Sequence, residues 1–255
     1  MSKAIFITVR TGSTRLPKKC LLRIKGKRTI KYLVERVKKS KLKDIIVLCT
    51  STLKEDDILC EIAIQQGIEY HRGSVKDKLM RWLGATEKFK VNFFITADGD
   101  DLFCEPELID LAFKQYEKSR ADFIEGVNIP TGAFSYGIKT EALKKVCEIK
   151  GTNDTEMMWT YFKDTNLFRC EELRNIPLFY KRPEIRMTLD YPEDLQFFKR
   201  IINDLSKRKK YFNLKDIISY LDEHPEVIKI NQHMQEIFLA NQRKKAKLII
   251  KEGKI

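Results

Sequence analysis

The chain has 255 residues, of which 43% are hydrophobic and 33% charged, so it can bury a large core and is not intrinsically disordered. Its 11 glycines and 7 prolines are too few for a collagen-like or linker-rich chain. No apolar run approaches the ~18 residues needed to span a bilayer, and the apolar stretch at residues 1–7 is too short for a secretory signal. We therefore expect a soluble, cytoplasmic protein without membrane association.

The charge balance is strongly basic. Lys and Arg number 49 against 36 Asp and Glu, which gives a formal net charge of +13. Such a field attracts nucleotides, nucleic acids or acidic metabolites, but a lysine-rich, solvated surface has the same composition, so charge alone does not choose a function. The six cysteines and three histidines are scattered without zinc-ligand spacing, and we expect the cysteines to be small buried hydrophobes in a reducing compartment.

Strands and helices alternate through the first 120 residues. Short apolar runs predict strands at 3–9, 44–50, 68–71 and 91–97, and helical spacing predicts helices at 29–40, 54–66, 75–89 and 106–119. This alternation, with strands that are apolar almost throughout, indicates an α/β fold with a mostly parallel sheet between helices.

The pattern changes after residue 121. We predict strands at 122–127, 134–138 and 185–189, and helices at 141–148, 153–163, 192–205, 213–224 and 226–240. The last two helices should pack on the outside of the fold. The sequence thus predicts a single domain over residues 1–242, with 206–242 as a C-terminal helical extension and 243–255 as a basic tail.

A basic loop follows the first predicted strand. This loop, residues 10–19, contains Arg10, Gly12, Ser13, Arg15 and Lys19. Gly12 lets backbone N–H groups approach a phosphate closely, and arginine binds phosphate oxygens with two donors. Neither a Walker A loop nor a Gly-x-Gly-x-x-Gly fingerprint is present, and a solvated basic turn is the alternative.

Carboxylates end two later predicted strands. Asp98-Gly99-Asp100-Asp101 follows the fourth strand, and three carboxylates so close together repel one another unless a cation is bound. Oxygen ligands favour Mg²⁺ or Mn²⁺, whereas Leu102 excludes an EF-hand. Asp190 ends the strand at 185–189 ahead of Pro192, where helix capping is as good an explanation as metal binding.

Smaller polar clusters end the second and third predicted strands. They are Thr50 with Ser51, and Arg72 with Gly73 and Ser74, and both could contact a nucleotide. Asn153-x-x-Glu156 fits a capping box, which we prefer to a catalytic role for Glu156.

The sequence resembles the cytidylyltransferase family, which includes the acylneuraminate, Kdo and spore-coat polysaccharide types. The similarity covers nearly the whole chain, and its first motif is the most specific. The motifs are Val9–Lys19; Thr50-Ser51 with Asp56-Asp57-Ile58; Arg72-Gly73-Ser74 with Arg81; Gly99-Asp100 with Glu105-Pro106; Pro130-x-Gly132; Arg186-x-Thr188-Leu189-Asp190 with Pro192-Glu193-Asp194; and Tyr220–Glu226.

The resemblance implies a Rossmann-like nucleotidyltransferase fold and transfer of CMP from CTP to an anionic acceptor, with release of pyrophosphate. It implies that the basic loop holds the triphosphate, with Arg10, Lys19 and Asp100 as the catalytic residues. It also implies Mg²⁺, or Mn²⁺, on Asp100 and Asp190. Leu102 departs from the proline that the family usually has there, and the extra carboxylates Asp98 and Asp101 leave open which of the three binds metal.

The resemblance further implies that residues 122–180 shape the acceptor pocket and a homodimer contact. Two other functions stay open. A GT-A glycosyltransferase would use Asp98-Gly99-Asp100 as its Asp-x-Asp metal motif, although the basic loop argues against it. A basic nucleic-acid-binding protein would fit the charge, but no zinc finger, RNP signature or recognition helix is evident, so we expect no nucleic-acid partner.

Overall fold

The computed structural model describes residues 2–253. Its strands, in chain order, are β1 (Lys3–Thr8), β2 (Arg23–Ile24), β3 (Lys27–Arg28), β4 (Ile45–Ser51), β5 (Glu69–Gly73), β6 (Phe93–Asp98), β7 (Phe123–Glu125), β8 (Tyr136–Lys139) and β9 (Cys170–Glu172). Its helices are α1 (Thr29–Val37), α2 (Asp57–Gln65), α3 (Lys78–Phe89), α4 (Pro106–Ser119), α5 (Thr140–Ile149), α6 (Trp159–Lys163), α7 (Pro192–Arg208), α8 (Leu214–Glu223), α9 (Pro225–Ile228) and α10 (Met234–Lys245).

A seven-stranded mixed sheet has the strand order β5-β4-β1-β6-β8-β7-β9. The first four of these strands run parallel, with β1 between β4 and β6. β8 is antiparallel to both of its neighbours, and β7 pairs with β9 in parallel. The predicted α/β fold with a mostly parallel, mixed sheet between helices is therefore confirmed.

Alternate residues of β1 face two separate cores. Ile5 and Ile7 belong to the larger core, which packs against α1, α2, α4, α7 and α8. Ala4 and Phe6 belong to the smaller core, which packs against α3, α5 and α6. Because both faces are covered, the strand is apolar almost throughout, and this apolar run is the pattern that predicts a buried strand here.

The predicted strand at 185–189 is not a strand. Its residues are extended and buried, but their partners are loops: Arg186 forms an isolated bridge with Thr131, and the Leu189 N–H donates to Asp100 O at 2.9 Å. The apolar pattern therefore identified a buried extended segment correctly, but not one within the sheet.

The predicted helix at 153–163 is also shorter, since α6 begins only at Trp159. The Asn153–Glu156 capping box is wrong. Asn153 Oδ1 accepts from Lys150 Nζ at 3.4 Å, and Thr155 Oγ1 donates to the buried Asp77 at 2.9 Å. The Asn153 side chain thus contacts Lys150 and caps no helix, and Thr155 is tied to Asp77, which caps α3.

The C-terminal part differs most from expectation. The predicted helix at 226–240 is divided into α9 and α10, with a turn between them. Beyond α10 the backbone pairs with the last residue of α5 and with the segment that follows it, since the Lys251 N–H donates to Ile149 O at 2.9 Å and the Gly151 N–H donates to Ile249 O at 2.7 Å. Among residues 2–253, no helix is both long and apolar enough to cross a membrane.

Candidate active site

A cleft of about 620 Å³ opens at the carboxyl ends of the parallel strands. The basic loop after β1, the aspartates after β6, the segment before α7 and one face of α10 all line it. This edge of an open α/β sheet is where ligands bind, because the loops that follow neighbouring parallel strands converge there.

Lys19 lines the cleft and lies between two carboxylates from distant parts of the chain. Its Nζ donates to Asp190 Oδ1 at 2.8 Å and also to Asp100 Oδ2. Arg15 donates to the same Asp190 oxygen. The basic loop and both predicted metal-binding aspartates therefore meet at a single point.

A buried network fixes the position of Asp190, which is only 1% exposed. Asp194, in the first turn of α7, accepts the backbone N–H groups of Asp190 at 2.8 Å and Tyr191 at 2.9 Å. Arg186 donates to Asp194 at 2.9 and 3.0 Å and to Asp190 at 3.3 Å. Capping of α7 is thus the role of Asp194, and the Asp190 carboxylate remains directed at the cleft.

The pKa shifts in this cluster follow from burial and charge. Burial, followed by repulsion from Asp190 and Asp98, raises the pKa of Asp100 despite the attraction of Lys19. Burial alone would also raise the pKa of Asp190, but Lys19 and Arg15 outweigh it and hold that pKa below its usual range. The two carboxylates likewise outweigh burial at Lys19 and raise its pKa, so Lys19 carries a full positive charge.

The carboxylates fit a divalent cation only in part. Asp98 pairs with Lys78, whose Nζ lies 3.0 Å away, and not with Lys19. Asp101 is buried, and burial together with Asp100 and Asp98 raises its pKa well above the usual range. Within residues 2–253 no group of three or more His, Cys, Asp or Glu side chains could hold a metal. Asp100 and Asp190 do converge, and Mg²⁺ is usually bound by one or two carboxylates plus substrate phosphates.

Two arginines lie on the β4–β5 side of the cleft. Arg10 donates to Val75 O at 2.5 Å and approaches the Glu156 carboxylate only to 4.0 Å. Arg81 is 2% exposed and donates to Ser74 O at 2.6 Å, but its Nε has no hydrogen-bond partner among the described residues. Burial and the neighbouring Arg10 lower the pKa of Arg81. This arrangement favours binding of an anion or of other strong hydrogen-bond acceptors.

The basic loop is held by a carboxylate outside the cleft. Asp56, just before α2, accepts the Thr11 N–H at 2.8 Å and the Thr11 hydroxyl at 2.7 Å. It also accepts the Ser51 hydroxyl. Burial would raise the pKa of Asp56, but these hydrogen bonds outweigh it and lower the pKa. A charged Asp56 therefore ties the loop after β1 to the end of β4.

The structure brings together one part of the predicted nucleotide site and not the other. The basic-loop residues line the cleft; they are Arg10, Gly12, Ser13, Arg15 and Lys19. The second group does not line it, and a direct nucleotide contact from these residues stays a prediction; they are Thr50, Ser51, Arg72, Gly73 and Ser74.

The contacts of this second group explain its position. Arg72 donates to Ser51 O at 3.0 Å and to Leu53 O at 2.8 Å, which holds the turn after β4. Gly73 lies against Arg81, and an added Cβ would come within 3.1 Å of the Arg81 Cα. These residues thus shape the wall from which Arg81 enters the cleft. Sequence reasoning attached no separate role to Arg81, Asp56 or α10, although the first two stand within the motifs that carry the resemblance.

Comparisons with solved structures define the class of protein to which the fold belongs. The fold is that of nucleotidyltransferases: a CMP-2-keto-3-deoxy-manno-octonic acid synthetase solved with CTP superposes with a TM-score of 0.61 at 14% identity, over 80% of this chain and 100% of that one. A cytidylyltransferase from Leptospira borgpetersenii superposes with a TM-score of 0.80 at 25% identity, over 89% of this chain and 97% of that one.

The chain belongs to the cytidylyltransferase family, whose model matches residues 4–242. It is 31% identical to an uncharacterized protein of Methanocaldococcus jannaschii, over 90% of this chain and 94% of that protein. It is 28% identical to the spore coat polysaccharide biosynthesis protein SpsF of Bacillus subtilis, over 89% of this chain and 97% of that protein. The resemblance is confirmed, and the protein is a CTP-dependent nucleotidyltransferase; this decides against the glycosyltransferase and nucleic-acid-binding alternatives.

Proposed function

We propose that the protein transfers CMP from CTP to an anionic sugar acid or phosphorylated acceptor and releases pyrophosphate. The product would be a precursor of surface polysaccharides or glycoconjugates. Family membership and the spore-coat relative support this proposal. The observation that carries it is the position of Lys19, in contact with Asp100 and Asp190 inside a cleft that several cations line.

The reaction is an in-line displacement at the α-phosphorus of CTP. An acceptor oxygen forms the new bond to phosphorus, and the bond to the bridging oxygen breaks, so that its electron pair leaves with pyrophosphate. A hydroxyl acceptor gives up its proton to water in this step, whereas an ionised phosphate oxygen has none to lose. Lys19 and Arg10 would stabilise the negative charge that moves onto the leaving group. Arg15, which contacts Asp190, would help to orient the triphosphate.

Asp100 and Asp190 would hold Mg²⁺, or Mn²⁺, and Asp98 would join them only if Lys78 released it. When bound, the ion would neutralise charge on the phosphate oxygens and align the acceptor with the α-phosphate. Arg186 and Asp194 contribute by keeping the Asp190 carboxylate in a single position.

The test is a screen for pyrophosphate release by the purified protein. Each of the four nucleoside triphosphates is combined with a panel of sugar acids, sugar phosphates and neutral sugars, with Mg²⁺, with Mn²⁺ and with chelator. We expect release from CTP with at least one acidic acceptor and only with a divalent cation. Release from none of the combinations that contain CTP would contradict the proposed function.

A further inference from the structure

The lining of the cleft divides, by position along the chain, into two chemically different halves. Its lining residues up to position 101 include six cations, namely Arg10, Arg15, Lys19, Lys76, Lys78 and Arg81. Among the described lining residues from position 125 onward, Lys245 alone is a cation, and the acids are Glu125, Glu156 and Asp190. A polyanionic triphosphate therefore fits the cations of the first half, and the second half, apart from Asp190 beside Lys19, is left for the other substrate.

Helix α10 forms a wall of this second half with one face. The α10 residues that line the cleft fall on one side of the helix; they are Gln235, Phe238, Leu239, Asn241, Gln242 and Lys245. The face combines an apolar patch, an amide and a cation, which suits a sugar ring that carries hydroxyls and an acidic group.

The N-terminal end of this face is fixed to the segment that carries Asp190. Gln235 donates to Thr131 Oγ1 at 2.9 Å and accepts from Arg186 at 3.1 Å. The Phe238 ring centroid lies 4.6 Å from the Arg186 guanidinium carbon. Arg186 also donates to the Asp190 carboxylate, so the same side chain contacts both α10 and Asp190.

The C-terminal end of the face has polar groups available for a ligand. Within residues 2–253, the side chains of Gln242 and Lys245 make no hydrogen bond or ion pair with another protein group, yet both line the cleft. Glu125, the acid at the end of β7, is paired with Lys163 at 2.7 Å and does not neutralise Lys245.

We propose that the cleft face of α10 is the acceptor subsite and that Lys245 pairs with the carboxylate or phosphate of an acidic sugar. Gln242 hydrogen-bonds sugar hydroxyls, and Phe238 with Leu239 contacts the carbon face of the ring. The inference rests on the proposed function and deepens it, since it names the residues that select an anionic acceptor. It also assigns part of the acceptor pocket to the C-terminal extension and to the first residues of the predicted basic tail, which α10 includes, outside residues 122–180.

The experiment is a steady-state comparison of the wild type with Lys245→Met, Lys245→Arg and Lys244→Met. The probes are the sugar acid or sugar phosphate found active in the pyrophosphate screen, its neutral parent sugar, and CTP. We expect Lys245→Met to raise the KM of the acidic acceptor roughly tenfold or more, because a charge-assisted hydrogen bond is lost, and to leave the KM of CTP unchanged. Lys245→Arg should restore most of the affinity.

Lys244→Met is the matched control, since Lys244 is exposed on the same helix and does not line the cleft. An unchanged acceptor KM in Lys245→Met overturns the inference alone, because turnover itself shows that CMP transfer occurs. Turnover of neutral sugars with equal efficiency also overturns it. Absence of any turnover contradicts the proposed function, and the inference then fails with it.

Discussion

Lys19 has more charged contacts in the cleft than any other residue of the basic loop, because it joins two aspartates that are 90 positions apart in the chain. One of these aspartates, Asp190, is almost fully buried, so its charge depends on the cations beside it for compensation. We therefore expect the function of the site to depend on this ammonium group and on the carboxylates that it contacts.

We expect Lys19→Ala and Asp100→Ala each to lower turnover by about 10²–10³, the usual cost of removing one charge contact from a transition state. The measurement is the rate of pyrophosphate release, with circular dichroism to verify the fold. Lys18→Ala is the control, since Lys18 is the exposed neighbour and does not line the cleft. Normal turnover in either site variant would show that the roles are wrongly assigned.

A second prediction compares two buried arginines. Arg36 donates to Glu105 at 2.9 Å, to Phe212 O at 2.7 Å and to Cys104 O at 3.2 Å, whereas Arg81 has no carboxylate partner among the described residues. Arg36→Met leaves a buried carboxylate unpaired and should lower the free energy of unfolding by about 3–5 kcal/mol. Arg81→Met removes an unpaired charge and should change it by less than about 1 kcal/mol.

The two substitutions should affect CTP binding in the opposite order, with the larger effect in Arg81→Met. We expect Arg81→Met to raise the KM of CTP roughly tenfold, because Arg81 lines the cleft and its Nε–H is unpaired among the described residues. Urea unfolding and steady-state kinetics measure the two effects separately. A stability loss in Arg81→Met as large as that in Arg36→Met, with normal CTP affinity, would indicate a purely structural arginine.

At the scale of elements, the contact between the basic loop and β4 gives a pH-dependent prediction. The pKa of Asp56 is lowered in the folded protein, so its stabilising effect is complete above the unfolded pKa of ~3.9 and is lost as the pH falls through the lower folded value. Asp56→Ala should cost about 1–3 kcal/mol of unfolding free energy near neutral pH. Its difference from the wild type should shrink only below about pH 4.

Urea unfolding over a pH series checks this prediction. Asp57→Ala is the control, since the Asp57 carboxylate is half-exposed and pairs with Arg72 at the surface, which is worth at most about 1 kcal/mol. A difference between wild type and Asp56→Ala that grows with acidification would have the wrong sign for a carboxylate whose pKa is lowered on folding.

Sequence patterns predicted the elements that pack against other strands and helices. β1, β4 and β6 were found because both of their faces are buried, which leaves an apolar run that needs no knowledge of the neighbours. The segment at 185–189 is as buried as these strands and therefore has the same apolar pattern, although its partners are loops. The hairpin of β2 and β3 and the strand β9 were missed, since two or three residues carry too little pattern.

The candidate site was predictable to a similar extent. Arg15, Lys19, Asp100 and Asp190 follow apolar segments, and topology alone brings them to one edge of the sheet. The choice between Arg72 and Arg81 depends on side-chain direction, which short-range sequence pattern does not determine. The position of α10 across the cleft depends on the path of the chain after α9, and no local feature of residues 229–233 specifies that path.

At the scale of the whole molecule, homodimer formation through residues 122–180 stays a prediction, and one surface supports it. Leu178 is 80% exposed and Phe179 45% exposed, and they are adjacent in a short helical turn of that segment. Exposed large apolar side chains of this kind are typical of contact surfaces. We expect a dimer by light scattering and a monomer for Leu178→Glu, with unfolding free energy unchanged. A monomeric wild type would contradict the prediction.

The central claim is that the cationic loop and the two aspartates form a single nucleotide site, and a calorimetric titration with CTP and Mg²⁺ tests it most directly. The wild type should bind one CTP per chain, and Arg10→Ala should bind it roughly tenfold or more weakly, because Arg10 lines the cleft. Arg23→Ala, which removes a cation outside that cleft, should bind CTP as the wild type does. Equal weakening by both substitutions, or no binding of CTP by the wild type, would contradict the account.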